Sequence, residues 1–595
     1  MMFGDEFVEE ETGSESFLYA DIGSIWTRAV LVDQVDGRYS FVARGEARTT
    51  LEYPAANIVE GVREAVQEVE RASSRTLLGG DGESGPQVLL PEDDDGDGVD
   101  AFLVTTSAFR PLKAMVFSTE LSAEARAALA ALHAFYVDVV GTFTVPQKAG
   151  GDWGDHSLAD LFQTVDRQRP DVVLFVALDK AEPTPSIEHF LEVLNTCNDL
   201  YDVRQRPTVV LVGQTTLVSH LAAQIETMNP VEPVSVGEDE AAGAREALVN
   251  VMGKLLHERR LARLPGFGAL QAWSETPVQP TAVAQARAIE LLARQLRRRL
   301  VFVDVGGEHS HLVMADADFT YSMVRPGLGL GFQLQELLKR VGAEAIFRWV
   351  PGLLPERELE GLLIHRSWYP CVPPATRDAL WLEQAAGRAV LQELVAGPFR
   401  HLPDSFRGVN GHVTCDYVIG AGGVIQGAPE PSQALLLLLD TLQPTGIVHI
   451  MRDRLGLVPA LGVLSQTEPE AVADLLAQHI LESLGTVVVL SGPFQPGKEV
   501  LQFRMIHPDG ATYTVTVEGG RIYREYLAPG MRLELELRPA RKVDVGLGPG
   551  QPVRIHVPGG TVGLVIDARG RPLTWPETLV EQRRQVQEWL FDVGG

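Results

Sequence analysis

The sequence FLYADIGSIWTRAVLVD, residues 17–33, is typical of a β-hairpin. An apolar run ends at Asp21, a tight turn follows at Gly23 and Ser24, and a second apolar run begins after Thr27. The turn therefore carries a carboxylate, a glycine and two hydroxyls. Such a turn can hold a phosphate, because glycine allows close backbone approach and successive N–H groups can point at the anion. The carboxylate of Asp21 can hold a hydrated Mg²⁺ beside it.

A second copy of this pattern occurs at LVFVDVGGEHSHLVM, residues 300–314. An apolar strand ends at Asp304, Gly306 and Gly307 make the turn, and another apolar strand follows. A single Asp-Gly-Ser turn would say little, because ordinary turns use the same residues. Two copies with the same order of acid, glycine turn and returning strand favour a phosphate-binding role.

A third glycine turn lies in DYVIGAGGVIQ, residues 416–426, between a predicted strand and a predicted helix. Its glycines are Gly420, Gly422 and Gly423. A Rossmann-type turn would place its third glycine at Ile425, and it would belong to a first βαβ unit. Two strand–turn–strand units followed by strand–GxGG–helix are instead typical of the ATPase superfold of actin, sugar kinases and Hsp70. In that superfold two half-domains clamp a nucleotide, the first two turns hold phosphates and metal, and the third supports the adenosine.

Three further segments make the chain resemble one branch of this superfold. They are GRYSFVARGEARTT after the first hairpin, VRPGLGLGFQL after the second, and GAGGVIQGAPEPSQALLLLLDTLQPTGIVHIMRDRLGLVPALG at the third turn. The branch is the glutamate mutase MutL (GlmL-like) family, and the resemblance covers roughly residues 16–480. It implies an ATP-binding accessory or reactivating protein, chaperone-like in its action, for an adenosylcobalamin-dependent mutase such as glutamate mutase.

The resemblance also implies which residues bind ATP and Mg²⁺. Mg²⁺ would be held through water by Asp21 and Asp304. The nucleotide would be bound by residues of all three turns: Asp21, Gly23, Ser24 and Thr27; Asp304, Gly306, Gly307 and Ser310; Gly420, Gly422 and Gly423. The Ser24 hydroxyl would face the phosphates, whereas Thr27 would support the hairpin. The sequence identifies no catalytic residue.

The second turn departs from the family pattern, which has hydroxyl residues and an acid after the double glycine. Glu308, His309, Ser310 and His311 stand in those places, so only Ser310 keeps a hydroxyl. Losing phosphate-facing hydroxyls weakens transition-state stabilisation, whereas backbone contacts to phosphates persist. The departure therefore bears on ATP hydrolysis more than on ATP binding. His309 and His311 share one face of a strand, but two histidines without a third ligand do not predict a metal site.

Composition restricts the partners and the location. The chain has 595 residues and a formal net charge of −28, which disfavours nonspecific binding to nucleic acid or anionic lipid. Its three cysteines, Cys197, Cys371 and Cys415, form no Cys-x-x-Cys pair, so neither a zinc site nor a disulfide framework is predicted. The acidic N-terminus lacks the layout of a signal peptide, and a cytoplasmic location is expected. The apolar run at 435–443 is too short to span a bilayer and predicts a buried helix.

The predicted fold class is α/β: a duplicated actin-like (RNase H-like) ATPase core with a helical insertion and a C-terminal all-β module. The expected divisions of the chain are a disordered acidic tail at 1–15, a first half-domain at 16–265, a second half-domain at 281–482 with its helical insertion at about 343–400, an all-β domain at 486–575 and a C-terminal helix at 576–595. The resemblance assigns no role to the last two.

Two other functions stay open on the sequence alone. A non-catalytic scaffold or assembly protein would account for an altered second turn and an added β module. A small-molecule kinase would need a general base and a substrate pocket, and no residues can be nominated for either. Copurification of a mutase would favour the accessory protein. Polymerisation or stable complexes without nucleotide would favour the scaffold, and a phosphorylated product would favour the kinase.

Overall fold

A computed structural model describes residues 15–80, 85–118, 130–145, 156–177, 184–236, 241–274, 276–352, 354–408, 411–506 and 510–594. The acidic tail predicted at 1–15 lies outside these ranges except for its last residue, Glu15.

The described residues form strands and helices throughout the chain. The strands are β1 (Ser16–Ile22), β2 (Trp26–Val35), β3 (Arg38–Arg48), β4 (Leu78–Gly79), β5 (Gln87–Val88), β6 (Ala101–Thr106), β7 (Leu112–Ser118), β8 (Val137–Thr144), β9 (Val172–Ala177), β10 (Thr208–Gln214), β11 (Val231–Val236), β12 (Gln279–Pro280), β13 (Leu300–Val305), β14 (His309–Ala315), β15 (Thr320–Pro326), β16 (Tyr417–Ala421), β17 (Gly446–Arg452), β18 (Glu482–Val489), β19 (Glu499–Ile506), β20 (Thr512–Glu518), β21 (Ile522–Glu525), β22 (Arg532–Pro539), β23 (Val553–Pro558) and β24 (Gly563–Asp567). The helices are α1 (Ile58–Ser73), α2 (Leu158–Gln168), α3 (Pro185–Asn198), α4 (Thr215–Ile225), α5 (Ala241–Arg259), α6 (Phe267–Trp273), α7 (Thr281–Leu296), α8 (Leu334–Val341), α9 (Ala343–Phe347), α10 (Glu356–Trp368), α11 (Arg377–Ala396), α12 (Gly423–Gln426), α13 (Pro431–Leu442), α14 (Val458–Thr467), α15 (Pro469–Ala477) and α16 (Leu579–Asp592).

Two sheets are built on one plan. The first has the strand order β3-β2-β1-β6-β12, and the second contains the order β15-β14-β13-β16-β17. In each, three consecutive strands pair antiparallel, and two later strands run parallel to the first of the three. This repeated plan is a duplicated actin-like core, so the predicted fold class is confirmed.

An apolar layer joins the two sheets and fixes where their hairpins lie. Helices α7 and α14 pack against each other between them, and apolar side chains of β1, β13 and β16 complete the cluster. The helices approach so closely at Gly462 that a Cβ there would overlap the carbonyl oxygen of Ala284. Burial of apolar surface contributes about 25 cal/mol per Å², so this layer stabilises the packing of the two sheets against each other.

A third sheet lies within the first half of the chain. Its strands are all parallel, in the order β11-β10-β9-β7-β8, and it carries its own apolar core. The βαβ alternation of the sequence predicts a mixed or parallel sheet with strands at 171–179 and 208–214, where β9 and β10 lie. The finding beyond that expectation is that these strands form a sheet separate from the hairpin sheet.

Helices α9, α10 and α11 occupy the segment where a helical insertion is predicted, and they pack on the second sheet. The C-terminal helix α16 packs on the same segment, since Arg583 Nε donates to Val350 O at 2.9 Å. Arg366 of α10 and Glu383 of α11, which form an ion pair of 2.7 Å, reach the cleft between the two halves.

The C-terminal strands are divided between two sheets. Strands β18, β24 and β21 extend the second sheet to eight strands, whereas β20, β19, β22 and β23 form a four-stranded antiparallel sheet. A buried ion cluster ties the first group to α13 and α11: Asp440 pairs with Arg388 at 2.9 Å and with Arg569 at 2.7 Å, and Arg569 also pairs with Asp567. The expected division of the chain into domains stays a prediction.

The apolar run at 435–443 lies in α13, where every residue from Ser432 to Leu442 is buried in the second half. The prediction of a buried helix is therefore confirmed. In the part of the chain that the structure describes, no helix is long and apolar enough to cross a membrane.

Candidate functional site

The two hairpin turns face each other across a cleft. A Cβ placed on Gly307 would overlap Ile25 Cδ1 and lie 2.9 Å from Ser24 Oγ, so the turns are in van der Waals contact. The cleft between them has a volume of about 120 Å³. Nine of the eleven residues predicted to bind nucleotide line it: Asp21, Gly23, Ser24, Asp304, Gly306, Gly307, Ser310, Gly422 and Gly423.

Thr27 and Gly420, the other two predicted residues, do not line the cleft. Thr27 Oγ1 hydrogen-bonds Thr49 Oγ1 at 2.9 Å, which is the support of the hairpin that the sequence predicts for it. Gly420 lies inside β16, where a Cβ would come within 2.8 Å of Leu438. Its small size therefore serves helix packing rather than approach to a ligand.

The same hydrogen bond closes both turns. The Gly23 N–H donates to Trp26 O at 3.0 Å, and the Gly306 N–H donates to His309 O at 3.0 Å. Neither glycine could carry a side chain, because its Cβ would lie within 3 Å of the same carbonyl oxygen. Within the described residues, the next two N–H groups of each turn, those of Ser24 and Ile25 and of Gly307 and Glu308, have no hydrogen-bond partner.

Asp21 is buried at the end of β1. Its Oδ1 accepts hydrogen bonds from Thr105 at 2.9 Å and from Thr281 at 2.8 Å. Burial raises the pKa of this carboxyl, although the Arg28 guanidinium and the two threonine hydroxyls act in the opposite direction. Because both threonines bind one oxygen, Oδ2 is left for a ligand in the cleft.

Asp304 occupies the equivalent position at the end of β13. Its Oδ2 accepts a hydrogen bond of 2.5 Å from Gln285 Nε2. Burial, together with the charge of Asp21, raises the pKa of Asp304 to about 6. A polar chain continues behind it, since Gln285 Oε1 lies 2.8 Å from His311 Nδ1 and His311 Nε2 lies 2.8 Å from Ser322 Oγ. Neutral His311 thus donates to Gln285 and accepts from Ser322.

A third carboxylate, Asp453, is buried after β17. It accepts the N–H groups of Gly456, Leu457 and Val458 at 2.9 Å each, and so caps the start of α14. Burial raises the pKa of Asp453, and its charge contributes to the raised pKa of Asp304. In addition to burial, the negative charges of Asp21 and Asp453 both raise the pKa of Asp304, and a cluster of carboxylates of this kind favours a bound cation.

The hydroxyls of the two turns differ in availability. Ser310 Oγ donates to Leu328 O at 2.7 Å and is buried, so it is held inside the second hairpin. Ser24 Oγ, in contrast, has no hydrogen-bond partner among the described residues and lines the cleft. The predicted role of Ser310 as a phosphate-facing hydroxyl is therefore not what its geometry favours.

His309 and His311 are buried on one face of β14, as their spacing predicts. Burial lowers the pKa of His309 to about 4 and that of His311 to about 3, so both are neutral near pH 7. His309 Nε2 lies 3.3 Å from Phe109 O, and its ring meets the Tyr136 ring edge-on at 5.1 Å. Both rings thus belong to the packing behind the second turn.

The third turn lies against the second. Gly422 has φ +89°, and a Cβ there would overlap Val305 O and lie 2.6 Å from Asp304 Oδ1. Only glycine meets both requirements, the left-handed backbone and the close approach. Gly423 then begins α12 and borders the cleft.

A second cavity of about 340 Å³ continues from the cleft past Gly423. The two cavities share Trp26, Arg28 and Arg366. Three side chains that line this second cavity have buried polar atoms without a hydrogen-bond partner: Arg44 Nε, Arg366 Nε and Gln426 Oε1. Buried polar groups of folded proteins are normally paired, so these atoms fit a polar ligand such as the sugar and base of a nucleotide.

The donor set also fits Mg²⁺ held through water. Within the described ranges, no group of three or more His, Cys, Asp or Glu side chains could hold a metal directly. Mg²⁺ usually keeps several waters and uses one or two carboxylates plus phosphate oxygens, which Asp21 and Asp304 can complete.

Comparison with known proteins gives the family. A family model described as MutL protein matches residues 17–480, which is more than half of the chain. The chain belongs to the MutL protein family. It is thus an ATPase-fold protein of that family, and the match begins at the first hairpin and ends after α15.

Solved structures similar to this MutL-family chain are distant. A nucleotide-free acetone carboxylase is 10% identical, over 85% of this chain and 81% of its own, with a TM-score of 0.31. A glycerol dehydratase reactivase is 12% identical, over 71% and 94%, with a TM-score of 0.27. The ethanolamine utilization protein EutJ of Carboxydothermus hydrogenoformans is 11% identical, over 75% and 88%, with a TM-score of 0.24. Likenesses of this size say nothing about activity or partner. No curated protein matches the chain significantly.

Several residues of the MutL-family site were not predicted from the sequence. Thr105, Thr281 and Gln285 bind the two carboxylates, and Asp453 and Arg28 surround them electrostatically. Asp453 carried a signal, since aspartate shortly before a predicted helix commonly accepts backbone N–H groups at its start. Arg28 carried another, because on a hairpin closed at Gly23 it must lie opposite Asp21. The threonines and the glutamine had none, since they come from distant segments.

Proposed function

We propose that this protein binds ATP with Mg²⁺ in the cleft between its two halves. The observation that supports this most is the convergence of two glycine turns with the same closing hydrogen bond, each with two unpartnered N–H groups among the described residues, beside Asp21 and Asp304. Clustered N–H groups in a turn bind phosphate, and a nearby pair of carboxylates binds the accompanying cation.

Each turn would have a distinct part in binding. The N–H groups of Ser24, Ile25, Gly307 and Glu308 would donate to phosphate oxygens, and the Ser24 hydroxyl would add one side-chain donor. Asp21 and Asp304 would hold waters of Mg²⁺, which when bound offsets the negative charge of the phosphates. The Gly422 turn and the adjoining cavity would take the adenosine.

Turnover of ATP is expected to be slow or absent. Gly307 stands where the first turn has Ser24, and Ser310 is bound to Leu328 O, so the second turn presents no hydroxyl to a phosphate. In this cleft, transition-state stabilisation would rest on the backbone N–H groups and on the single hydroxyl of Ser24, without the hydroxyls of the second turn.

We further propose that nucleotide binding is coupled to a protein partner, an adenosylcobalamin-dependent mutase such as glutamate mutase. Membership of the MutL family supports this choice of partner. The mechanical basis is that the phosphates would contact turns from both halves. A ligand that contacts both halves binds their closed arrangement more tightly than the open one, so it shifts the equilibrium toward the closed arrangement. A partner that binds one arrangement better than the other then responds to nucleotide.

A reactivation assay tests the partner. Inactivated glutamate mutase holoenzyme is incubated with this protein, Mg·ATP and free adenosylcobalamin, and mutase activity is followed. Recovery of activity that needs ATP, that is lost with Asp21→Ala and kept with Asp199→Ala, an exposed acid far from the cleft, is the expected result. No recovery with wild type that binds ATP would contradict the partner but not the nucleotide site.

A non-catalytic scaffold is the second candidate, and the engaged Ser310 hydroxyl favours it. The two functions differ in their dependence on nucleotide. In sedimentation velocity of this protein with a mutase, the accessory function predicts a complex whose stability changes with Mg·ATP. A complex or polymer that is insensitive to Mg·ATP would favour the scaffold.

A further inference from the structure

A larger cleft lies on the other side of β15. It has a volume of about 920 Å³ and lies between the third, all-parallel sheet and the second half of the core. One wall is β8 and the residues before it, and the other is β15 together with α8 and the segment at Pro398–His401. The Val324 N–H donates to His133 O at 2.7 Å and joins the two walls.

Both walls are formed by sheet edges. Among the described residues, strand β8 pairs with β7 alone and β15 pairs with β14 alone, so each lies at the edge of its sheet. Because the two strands do not pair with each other, the space between them remains open. A volume of about 920 Å³ lies within the range of small-ligand sites, which is about 300–1,000 Å³.

The charges in this cleft are unusual for so acidic a chain. Three arginines from three different elements line it, Arg325 of β15, Arg340 of α8 and Arg400 of the Pro398–His401 segment. His133 and His401 lie beside them, and Asp138 is the one acid among the lining residues. The whole protein has a net charge of −28, so a group of cations without a matching group of acids stands out.

The three guanidiniums lack partners in the part of the chain that the structure describes. Throughout the described residues, none of Arg325, Arg340 and Arg400 has a carboxylate within 4 Å or a side-chain hydrogen bond. By contrast, Arg28 and Arg366, which line the cleft between the two hairpin turns, are both paired with glutamates. Burial, together with the charge of Arg325, lowers the pKa of His133.

We propose that this cleft binds a small polyanion, a molecule that carries two or more phosphate or carboxylate groups. A guanidinium binds either a phosphate or a carboxylate through paired N–H donors. Three guanidiniums from separate elements can therefore hold more than one such group at once. The site is distinct from the cleft between the phosphate turns, because only Val324 and its strand are common to the walls of both. The proposal does not rest on the proposed function.

Calorimetric titration of the full chain tests the proposal, with pyrophosphate and citrate as separate probes at low ionic strength. Saturable binding of at least one probe is expected, and the preferred probe identifies phosphate or carboxylate as the ligand group. Arg325→Gln combined with Arg400→Gln should weaken it by about tenfold or more, since each charged hydrogen bond contributes about 1.5–3 kcal/mol. Asp138→Asn should tighten binding, because it removes the one acid.

Arg584→Gln is the control, since it removes one positive charge from an exposed site on α16 and should leave binding unchanged. Arg325 and Arg400 have no partners among the described residues, so the double variant should fold. Circular dichroism checks this. Absence of saturable binding of both probes would overturn the proposal. So would pyrophosphate binding that persists unchanged in the double variant, because it would then belong to the phosphate turns.

Discussion

The first and the second hairpin turn close with hydrogen bonds of the same kind and length, from Gly23 to Trp26 and from Gly306 to His309. Their side chains, however, have diverged. At the position where the first turn has Ser24, whose hydroxyl has no partner among the described residues, the second turn has Gly307. Gly307 also lies against Ser24 across the cleft. The comparison teaches that register and glycine keep the backbone of a phosphate turn, while its side chains can change independently.

The partners of the two acids differ in the same way. Register places Arg28 opposite Asp21 and His311 opposite Asp304. The first acid therefore has a permanent cation beside it, whereas the second has an imidazole that burial keeps neutral. We therefore expect the second turn to be more sensitive to pH than the first.

The largest effect is expected from Gly307→Ala, which breaks the contact between the turns. The added methyl group would overlap Ile25 and press on Ser24. Separation of the turns should lower the affinity for Mg·ATP by about 100-fold or more, equivalent to about 3 kcal/mol of overpacking strain. Calorimetry measures it. Gly361→Ala in α10, where a Cβ would meet nothing within 4 Å, is the control and should bind normally. Equal affinities of the two variants would show that the turns do not form the site.

Acid stability should depend on the second hairpin. His309 and His311 are neutral when folded but protonate near pH 6.5 when unfolded, so the unfolded state takes up protons as pH falls below 6.5. Each should lower the free energy of unfolding by up to about 1.4 kcal/mol per pH unit between pH 6.5 and 4. Urea unfolding at pH 7 and pH 5 measures this. The His311→Gln variant should lose less stability between the two pH values than wild type; an equal loss would contradict the assignment.

Nucleotide binding should also respond to acid, through Asp304. Its pKa of about 6 means that the carboxyl gains a proton as pH falls through 6, and a protonated carboxyl holds Mg²⁺ poorly. Affinity for Mg·ATP should therefore fall by up to about tenfold per pH unit below pH 6. Because ATP itself titrates near this pH, the comparison is with Asp304→Asn, which should bind weakly and show a smaller pH dependence. The same pH dependence in both proteins would assign it to ATP.

The smallest effects distinguish the two hydroxyls. Ser24→Ala should weaken Mg·ATP binding about tenfold by removing one donor to a phosphate, with little change in stability. Ser310→Ala should leave binding within about twofold but lower the free energy of unfolding by about 1–2 kcal/mol, because Leu328 O loses its partner. Calorimetry and urea unfolding of both variants measure this. A reversed pattern would mean that Ser310, not Ser24, faces the phosphates.

Local sequence was sufficient to predict both hairpins, the third turn and the buried run of α13, because each depends on periodicity and glycine over a few residues. Nine of the eleven predicted binding residues line one cleft for the same reason. The order of the three turns then implied the duplicated core. These features are local or follow from order along the chain.

Features that depend on long-range pairing were not predictable in this way. The sequences of β9 and β10 do not predict that these strands join the sheet of β7 rather than that of β6. The sequence of β18 likewise does not predict that this strand extends the second sheet. The hydroxyl of Ser310 looks available in the sequence, and only the path of the chain after β15 brings Leu328 O to it. Such pairings are set by packing between segments that lie far apart.

The most direct test of the account is calorimetric titration of Mg·ATP into wild type, Asp21→Ala and Asp199→Ala. Convergence of the two turns on one phosphate site predicts saturable binding of Mg·ATP in wild type and Asp199→Ala. It predicts a loss of affinity of about tenfold or more in Asp21→Ala, because the hydrated Mg²⁺ loses a carboxylate. No binding by folded wild type, or binding that Asp21→Ala leaves unchanged, would contradict the central claim that the paired turns form a nucleotide site.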